Sequence, residues 1–273
     1  MTPSARSTDH LIRAVAGTAL VLVVSGCASA SPSATPGGEA SEPASASPTA
    51  IPSESTSPTA STRPECPVPY HGDCLGAIPV GTYTTVQFQP PITYAVPAGG
   101  WFNSEDLPGL FTLIPPGFSV GANSHEPTGD YILIATSVVA ANADCTESEQ
   151  PGMGHTAAAL AAEFAQRPGL TTTTPTPVSV GGLQGLVLDI RMADGWTQTC
   201  FYSGGKPAVP LIRGVGPSSG LDNPICDPGC ITRVYLLDGS GTTLAIELGD
   251  NSGGMHLDDY DAVVRTIEFD LGG

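Results

Sequence analysis

Ile231-Thr-Arg-Val-Tyr-Leu-Leu237, Asp238-Gly239-Ser240-Gly241 and Thr242-Thr-Leu-Ala-Ile-Glu-Leu248 form the stretch on which the fold turns. Two runs rich in β-branched and aliphatic residues flank four residues built on Asp-Gly and a second glycine. That composition places a tight turn between two strands, because only such residues accept the backbone angles a hairpin connection needs. The same signature recurs upstream, where Val178-Ser179-Val180, Gly181-Gly182 and Leu183 onward spell a second hairpin. Thr82–Phe88, Ile92–Val96, Leu110–Ile114, Tyr131–Val139 and Trp196–Tyr202 read as further strands, with Pro90-Pro91 breaking the chain between the first two. Tyr131–Val139 is nearly all apolar, which predicts a central strand.

Two segments carry the period of a helix instead. His155–Gln166 is alanine-rich, sets Leu160 and Phe164 one turn apart, and stops at Pro168-Gly169. Leu257 to about Thr266 places Tyr260 and Val264 one turn apart, with Asp258, Asp259 and Asp261 near its start and Arg265 near its end, the charge order that complements a helix dipole. Ile267–Leu271 alternates as a closing strand. Hairpins with helices between them predict an α+β class: an antiparallel sheet packed with two or three helices and stapled by disulfides.

The order of these elements resembles the Mog1/PsbP-like fold of some actinobacterial cell-envelope lipoproteins. The residues that carry it are Ile114-Pro115-Pro116-Gly117-Phe118, the alanine-rich helix, Pro177–Gly182 and the final helix and strand over Asp258–Leu271, so that it covers about residues 95–271. The resemblance implies a binding or assembly factor rather than a catalyst, and a fold alone names no partner.

The start of the chain reads as an export signal. Arg6 and Arg13 precede the uncharged run Ala14–Val24, which is too short for the ~20 apolar residues that span a bilayer. The run ends in Val24-Ser25-Gly26-Cys27, which resembles the lipobox of bacterial lipoproteins. That resemblance implies cleavage after residue 26 and a lipid on Cys27, holding the chain to the outer face of a bacterial membrane. The competing reading is an ordinary secretory signal cut at an alanine of Ala28-Ser29-Ala30; a cysteine placed where the apolar run stops favours the lipobox.

Residues 27–65 then change to Ser, Pro, Ala, Thr and Gly, with Ile51 as an isolated large apolar side chain. Such a composition cannot offset its ordering entropy and predicts a disordered tether. Its reach would be about 35 Å as a coil and on the order of 100 Å as an extended polyproline-like path. Residues 66–273 are expected to form one extracytoplasmic domain, as no second linker or repeat interrupts them.

Nine basic residues stand against 26 acidic ones, a net charge of −17. Such a surface excludes nucleic acid, whose binding depends on clustered Lys and Arg, and disfavours adsorption to anionic lipid. The expected partners are the membrane, through the lipid on Cys27, and an envelope protein or small ligand.

Beyond Cys27 the cysteines are Cys66, Cys74, Cys145, Cys200, Cys226 and Cys230, an even set that reads as disulfides in an exported domain. Short separations favour Cys66–Cys74 and Cys226–Cys230, which leaves Cys145–Cys200. Cys226-Asp-Pro-Gly-Cys230 also fits one half of a zinc site, but a second ligand pair is missing.

Candidate chemistry is sparse. Ser203-Gly204-Gly205-Lys206 has the spacing of penicillin-recognising enzymes, but its glycines and Pro207 make a turn where that motif needs a helix start. Asp250, His256, Asp258, Asp259 and Asp261 are the densest set of potential ligands, without the spacing of a calcium loop. His71, His125 and His155 sit in expected loops. Trp101 and Phe102, beside Gly99-Gly100, could line a ligand cleft or pack in the core. No catalytic residue, metal or cofactor is assigned. The sequence therefore suggests a non-catalytic ligand- or protein-binding module; the alternatives are an envelope enzyme without a linear motif and a structural or assembly factor.

The lipobox reading is checked by Cys27→Ala. The variant precursor is expected to lose metabolic lipid labelling, and unchanged lipidation and processing would exclude the assignment.

Overall fold

The computed structural model describes Ser61–Thr62 and residues 76–97, 99–118, 129–219, 221, 229–239 and 241–272. Cys27, Cys66, Cys74, Cys226, His71 and His125 lie outside the described residues. The strands are β1 (Ser61–Thr62), β2 (Gly76–Ile78), β3 (Gly81–Thr84), β4 (Ile92–Val96), β5 (Trp101–Leu107), β6 (Leu110–Ile114) and β7 (Tyr131–Ala140). After α1 (Ala157–Phe164) come β8 (Leu170–Thr172), β9 (Thr176–Val180), β10 (Leu183–Met192), β11 (Ile212–Gly214), β12 (Ile231–Asp238) and β13 (Thr243–Asp250). The chain closes with α2 (Leu257–Val264) and β14 (Glu268–Phe269).

Ten strands make one antiparallel sheet in the order β2-β5-β6-β7-β13-β12-β10-β8, with β9 also on β10 and β11 on β7. A smaller sheet runs β1-β3-β4-β14, with β1 parallel to β3. Its first strand comes from the stretch whose composition reads as tether. The architecture is thus α+β but sheet-dominated: among the described residues it has two α-helices of eight residues each. None of them is long and apolar enough to cross a membrane.

The hairpin that decides the fold is β12–β13, registered through Asp238↔Thr243 and Leu237↔Leu244. Side chains of a strand alternate between faces, and here both faces are apolar. Tyr235, Leu237, Leu244, Ile246 and Leu248 pack with Leu257, Tyr260, Val263 and Val264 of α2 and with Ile92, Tyr94 and Val96 of the small sheet. Val234, Leu236 and Ala245 face the other way, onto Ala157, Leu160, Ala161 and Phe164 of α1. The hairpin also holds α1 by its end. Asp238 Oδ1 accepts from the Ala157 N–H at 2.8 Å, Thr156 caps the Ala159 N–H at 3.2 Å, and Thr243 Oγ1 donates to the His155 carbonyl at 2.6 Å. These bonds satisfy donors that a helix start leaves orphaned.

The β9–β10 turn needs glycine at both positions, since Gly181 and Gly182 have φ of +54° and +87°. At the far end of α1, Arg167 is buried. Its guanidinium donates to the carbonyls of Pro210 and Leu211 and pairs with Glu163 at 3.2 Å. Burial pulls its pKa below the ordinary arginine value, against the opposing pull of Glu163.

Two expectations are corrected. Trp196–Tyr202 is a loop with a single bridge, Thr199↔Pro207, instead of a strand. Trp196 Nε1 donates to the Ala208 carbonyl at 3.0 Å, and Cys200 is tied to Cys145, so the segment folds on itself rather than onto a neighbour. The strand expected over Thr82–Phe88 stops at Thr84, because the Asp106 carboxylate collects the N–H groups of Val86, Gln87 and Phe88 at 2.8, 3.1 and 2.9 Å. The strand that bears Asp106, β5, is itself an addition to the sequence reading, since its polar run Asn103-Ser-Glu-Asp106 hides the alternation.

Cys145 and Cys200 form a disulfide, 55 residues apart in sequence. Closing a loop of that length removes about 4 kcal/mol of unfolded-chain entropy. The double variant Cys145→Ser/Cys200→Ser is expected to lose ~3–5 kcal/mol in urea unfolding; an unchanged midpoint and slope would show that the bridge contributes nothing.

Candidate functional site

The outer edge of β10 is shared by two short strands. β8 pairs with Ile190–Met192 and β9 with Leu183–Val187, and the chain leaves the sheet between them at 173–175. On the face toward α2 this leaves a cleft of about 600 Å³. Its floor is Val178, Val187 and Tyr235 together with the cross-strand pair Asp189–Arg233. Asp261, Val264 and Arg265 of the helical side wall it, and Thr173, Thr174 and Thr176 form its hydroxyl-bearing lip.

The charges in this cleft are mutually paired. Arg233 donates through Nε and Nη2 to the two oxygens of Asp189 at 2.7 and 3.2 Å, the two-pronged geometry that suits guanidinium and carboxylate. Its Nη1 lies 3.5 Å from Asp258, whose side chain is 98% exposed. The Asp189 hydrogen bond, with Coulombic help from Asp189 and Asp261, raises the Arg233 pKa further above its ordinary value. Asp261 accepts from the Tyr235 hydroxyl and pairs with Arg265. What remains free is spare hydrogen-bonding capacity: unused guanidinium N–H groups and carboxylate lone pairs above an apolar floor.

A second polar group lies where α2 begins. Asp130, Asp250 and His256 bring ligand-type atoms within 4.8 Å of one another. Hydrogen bonds inside the protein account for them. Asp130 accepts from the Asn251 N–H at 2.8 Å and the Tyr260 hydroxyl at 2.6 Å and meets His256 Nδ1 at 3.1 Å. Asp250 accepts from the N–H groups of Ser252 and His256 at 2.6 and 2.7 Å. Burial, reinforced by the Asp130 carboxylate, lifts the Tyr260 phenol far above its usual range. The cluster ties the ends of β7 and β13 to the first turn of α2.

Of the ligand set seen in the sequence, Asp250 and His256 therefore come together, through an Asp130 that the sequence reading missed. Asp258 and Asp261 turn away to the two arginines of the cleft. Trp101 is buried edge-on against Tyr260, 6.1 Å between ring centres, and Phe102 is half-buried on the opposite side of β5; neither lines the cleft. Ser203 sits in a turn in which its Oγ meets the Cys200 N–H and donates to the Cys200 and Lys206 carbonyls, so it is a loop brace. His155 pairs with Glu149 at 2.6 Å on the surface. Asp189, Arg233 and Tyr235 were also missed. Asp189 and Arg233 each stand as a charge within an apolar strand, but β10 and β12 are not consecutive, and only the strand order of the sheet sets the two opposite one another.

One buried group stands apart from both sites. Glu247 lies in β13 with no hydrogen-bond partner for either oxygen among the described residues. Desolvation, then the neighbouring Cys230, pushes its pKa from 4.5 up to about 8.

No protein-family model matches the chain, and no curated protein matches it. Among solved structures, a protein of Bacteroides thetaiotaomicron VPI-5482 aligns at 12% identity over 67% of this chain, with a TM-score of 0.31. The alignment spans 46% of that chain, less than half its length. Cyanobacterial PsbP (CyanoP) of Synechocystis sp. PCC 6803 aligns at 12% identity over 72% of this chain and 98% of its own, with a TM-score of 0.30.

Glu247 sets a pH dependence of known sign. The unfolded chain releases this proton near 4.5 and the folded chain holds it to about 8, so the group's contribution to stability is full below 4.5 and is lost as pH rises through 8. Urea unfolding at about pH 5 and pH 8 should show a fall in stability that is smaller in Glu247→Gln; equal falls in both proteins would sink the assignment.

Proposed function

We propose that the chain is a membrane-anchored extracytoplasmic lipoprotein whose folded part is a non-catalytic binding module of the cell envelope. The observation that carries the binding half is the cleft at the β10 edge, whose lining offers paired charges, hydroxyls and an apolar floor, the mixture by which a protein holds and orients a ligand. The anchoring half rests on Val24-Ser25-Gly26-Cys27 at the end of the apolar run and on the polar stretch that follows it. The Cys145–Cys200 disulfide supports an oxidising compartment, where such bonds persist. On this reading the lipid on Cys27 is the address, residues 28–60 give reach away from the membrane, and the sheet presents the cleft to whatever lies in the envelope.

Purification of the full chain from native membranes in mild detergent, with mass spectrometry of its proteins and small molecules, tests the proposal. A reproducible bound molecule or partner is expected. A chain that comes away empty, or one that turns over envelope substrates, would replace the binding module with a structural factor or an enzyme.

A further inference from the structure

We infer that the cleft at the β10 edge binds a neutral, polyhydroxylated ligand, a segment of glycan; this rests on the binding-module reading and names the ligand class. The first support is charge balance. In a chain of net charge −17 with nine basic residues, Arg233 and Arg265 both come to this one cleft, and each is matched there by an aspartate, Asp189 and Asp261. An anionic ligand would meet those two carboxylates and Asp258 at the rim, and a cationic one would meet two guanidinium groups. A neutral ligand meets neither penalty.

The second support is the kind of hydrogen bond on offer. Each sugar hydroxyl donates once and accepts up to twice, so it needs donors and acceptors side by side. A clamped guanidinium–carboxylate pair supplies that: after bonding Asp189 through Nε and Nη2, Arg233 keeps N–H groups to spare, and Asp189 keeps lone pairs. The geometry is fixed in advance, which lowers the ordering cost of binding. At 3.5 Å from a nearly fully exposed Asp258, Nη1 of Arg233 is the position most easily taken over by a ligand oxygen. Thr173, Thr174 and Thr176 add hydroxyls along one side, while Val178 and Val187 provide an apolar floor for the C–H faces of sugar rings.

The test uses the full chain in detergent micelles, titrated calorimetrically with short neutral oligosaccharides of hexose and pentose units. Acidic oligogalacturonides and a medium-chain fatty acid serve as parallel probes. At least one neutral oligosaccharide should bind while the acidic and fatty probes do not. Arg233→Gln should weaken binding about tenfold, the equivalent of one hydrogen bond to a charged group. Thr174→Trp, which fills the cleft from an exposed lip position, should abolish it with the unfolding midpoint unchanged. Absence of binding by every neutral probe overturns the inference, as does a preference for the charged or fatty probes, or full affinity in Thr174→Trp. Because native-membrane purification reports any bound molecule or partner, a protein partner found there would leave the binding module standing and remove only the glycan.

Discussion

All eight residues of β13 are buried, and this strand is the constraint from which the architecture follows. A strand at the middle of an antiparallel sheet that shows apolar side chains to both sides cannot leave either face in water. One face is closed by α1. The other is closed by α2 and the small sheet, so the chain must return after β13 to supply the last helix and strand. Burying a large aliphatic side chain is worth about 1.5–3 kcal/mol, and Ile246, Leu248, Leu237 and Leu236 all contribute. The loops and short strands at the sheet's ends take the places left by this three-layer stack.

Carboxylates then tie the layers together, with Asp106, Asp130 and Asp250 buried and Asp238 exposed. Asp106 gathers three successive backbone N–H groups, Asp238 caps α1, and Asp130 with Asp250 secures the start of α2. In each case a charged oxygen satisfies donors that would otherwise be buried without partners, and such bonds to charged groups are among the stronger ones in a protein. Held in this way, α2 packs on β13 and β4, and its Asp258, Asp261 and the following Arg265 border the strip where Asp189 faces Arg233. Structural polar groups and the candidate binding groups are therefore neighbours with different duties. The first are saturated by the protein itself, and the second keep capacity to spare.

Much of the fold was legible in the sequence. Both glycine-turn hairpins, the apolar Tyr131–Ala140 strand, the two helices and the closing strand stand where their periodicity put them, and Cys145 is bonded to Cys200. Local signals sufficed there because turn chemistry and side-chain period act over a few residues. β5 was hidden by a polar run whose buried members are Asn103 and Asp106, the second of them holding the N–H groups of Val86, Gln87 and Phe88. Trp196–Tyr202 reads as a strand because aromatic and β-branched residues favour pleated surfaces, yet among the described residues it has no strand alongside to pair with. Trp101 carried the aromatic signal of a ligand cleft equally well as that of a core, and only its packing on Tyr260 distinguishes the two.

The sequence by itself determined the α+β class, the two glycine-turn hairpins and the helix faces, and it carries the lipobox-like end of the apolar run. These depend on neighbours close along the chain. The tertiary structure alone decided which charges meet. Asp130 and His256 are 126 residues apart, and Asp189 and Arg233 are 44 apart, so no spacing could announce either pair. Strand order in the sheet brings them together, and strand order is set by the burial of β13 on both faces rather than by any motif.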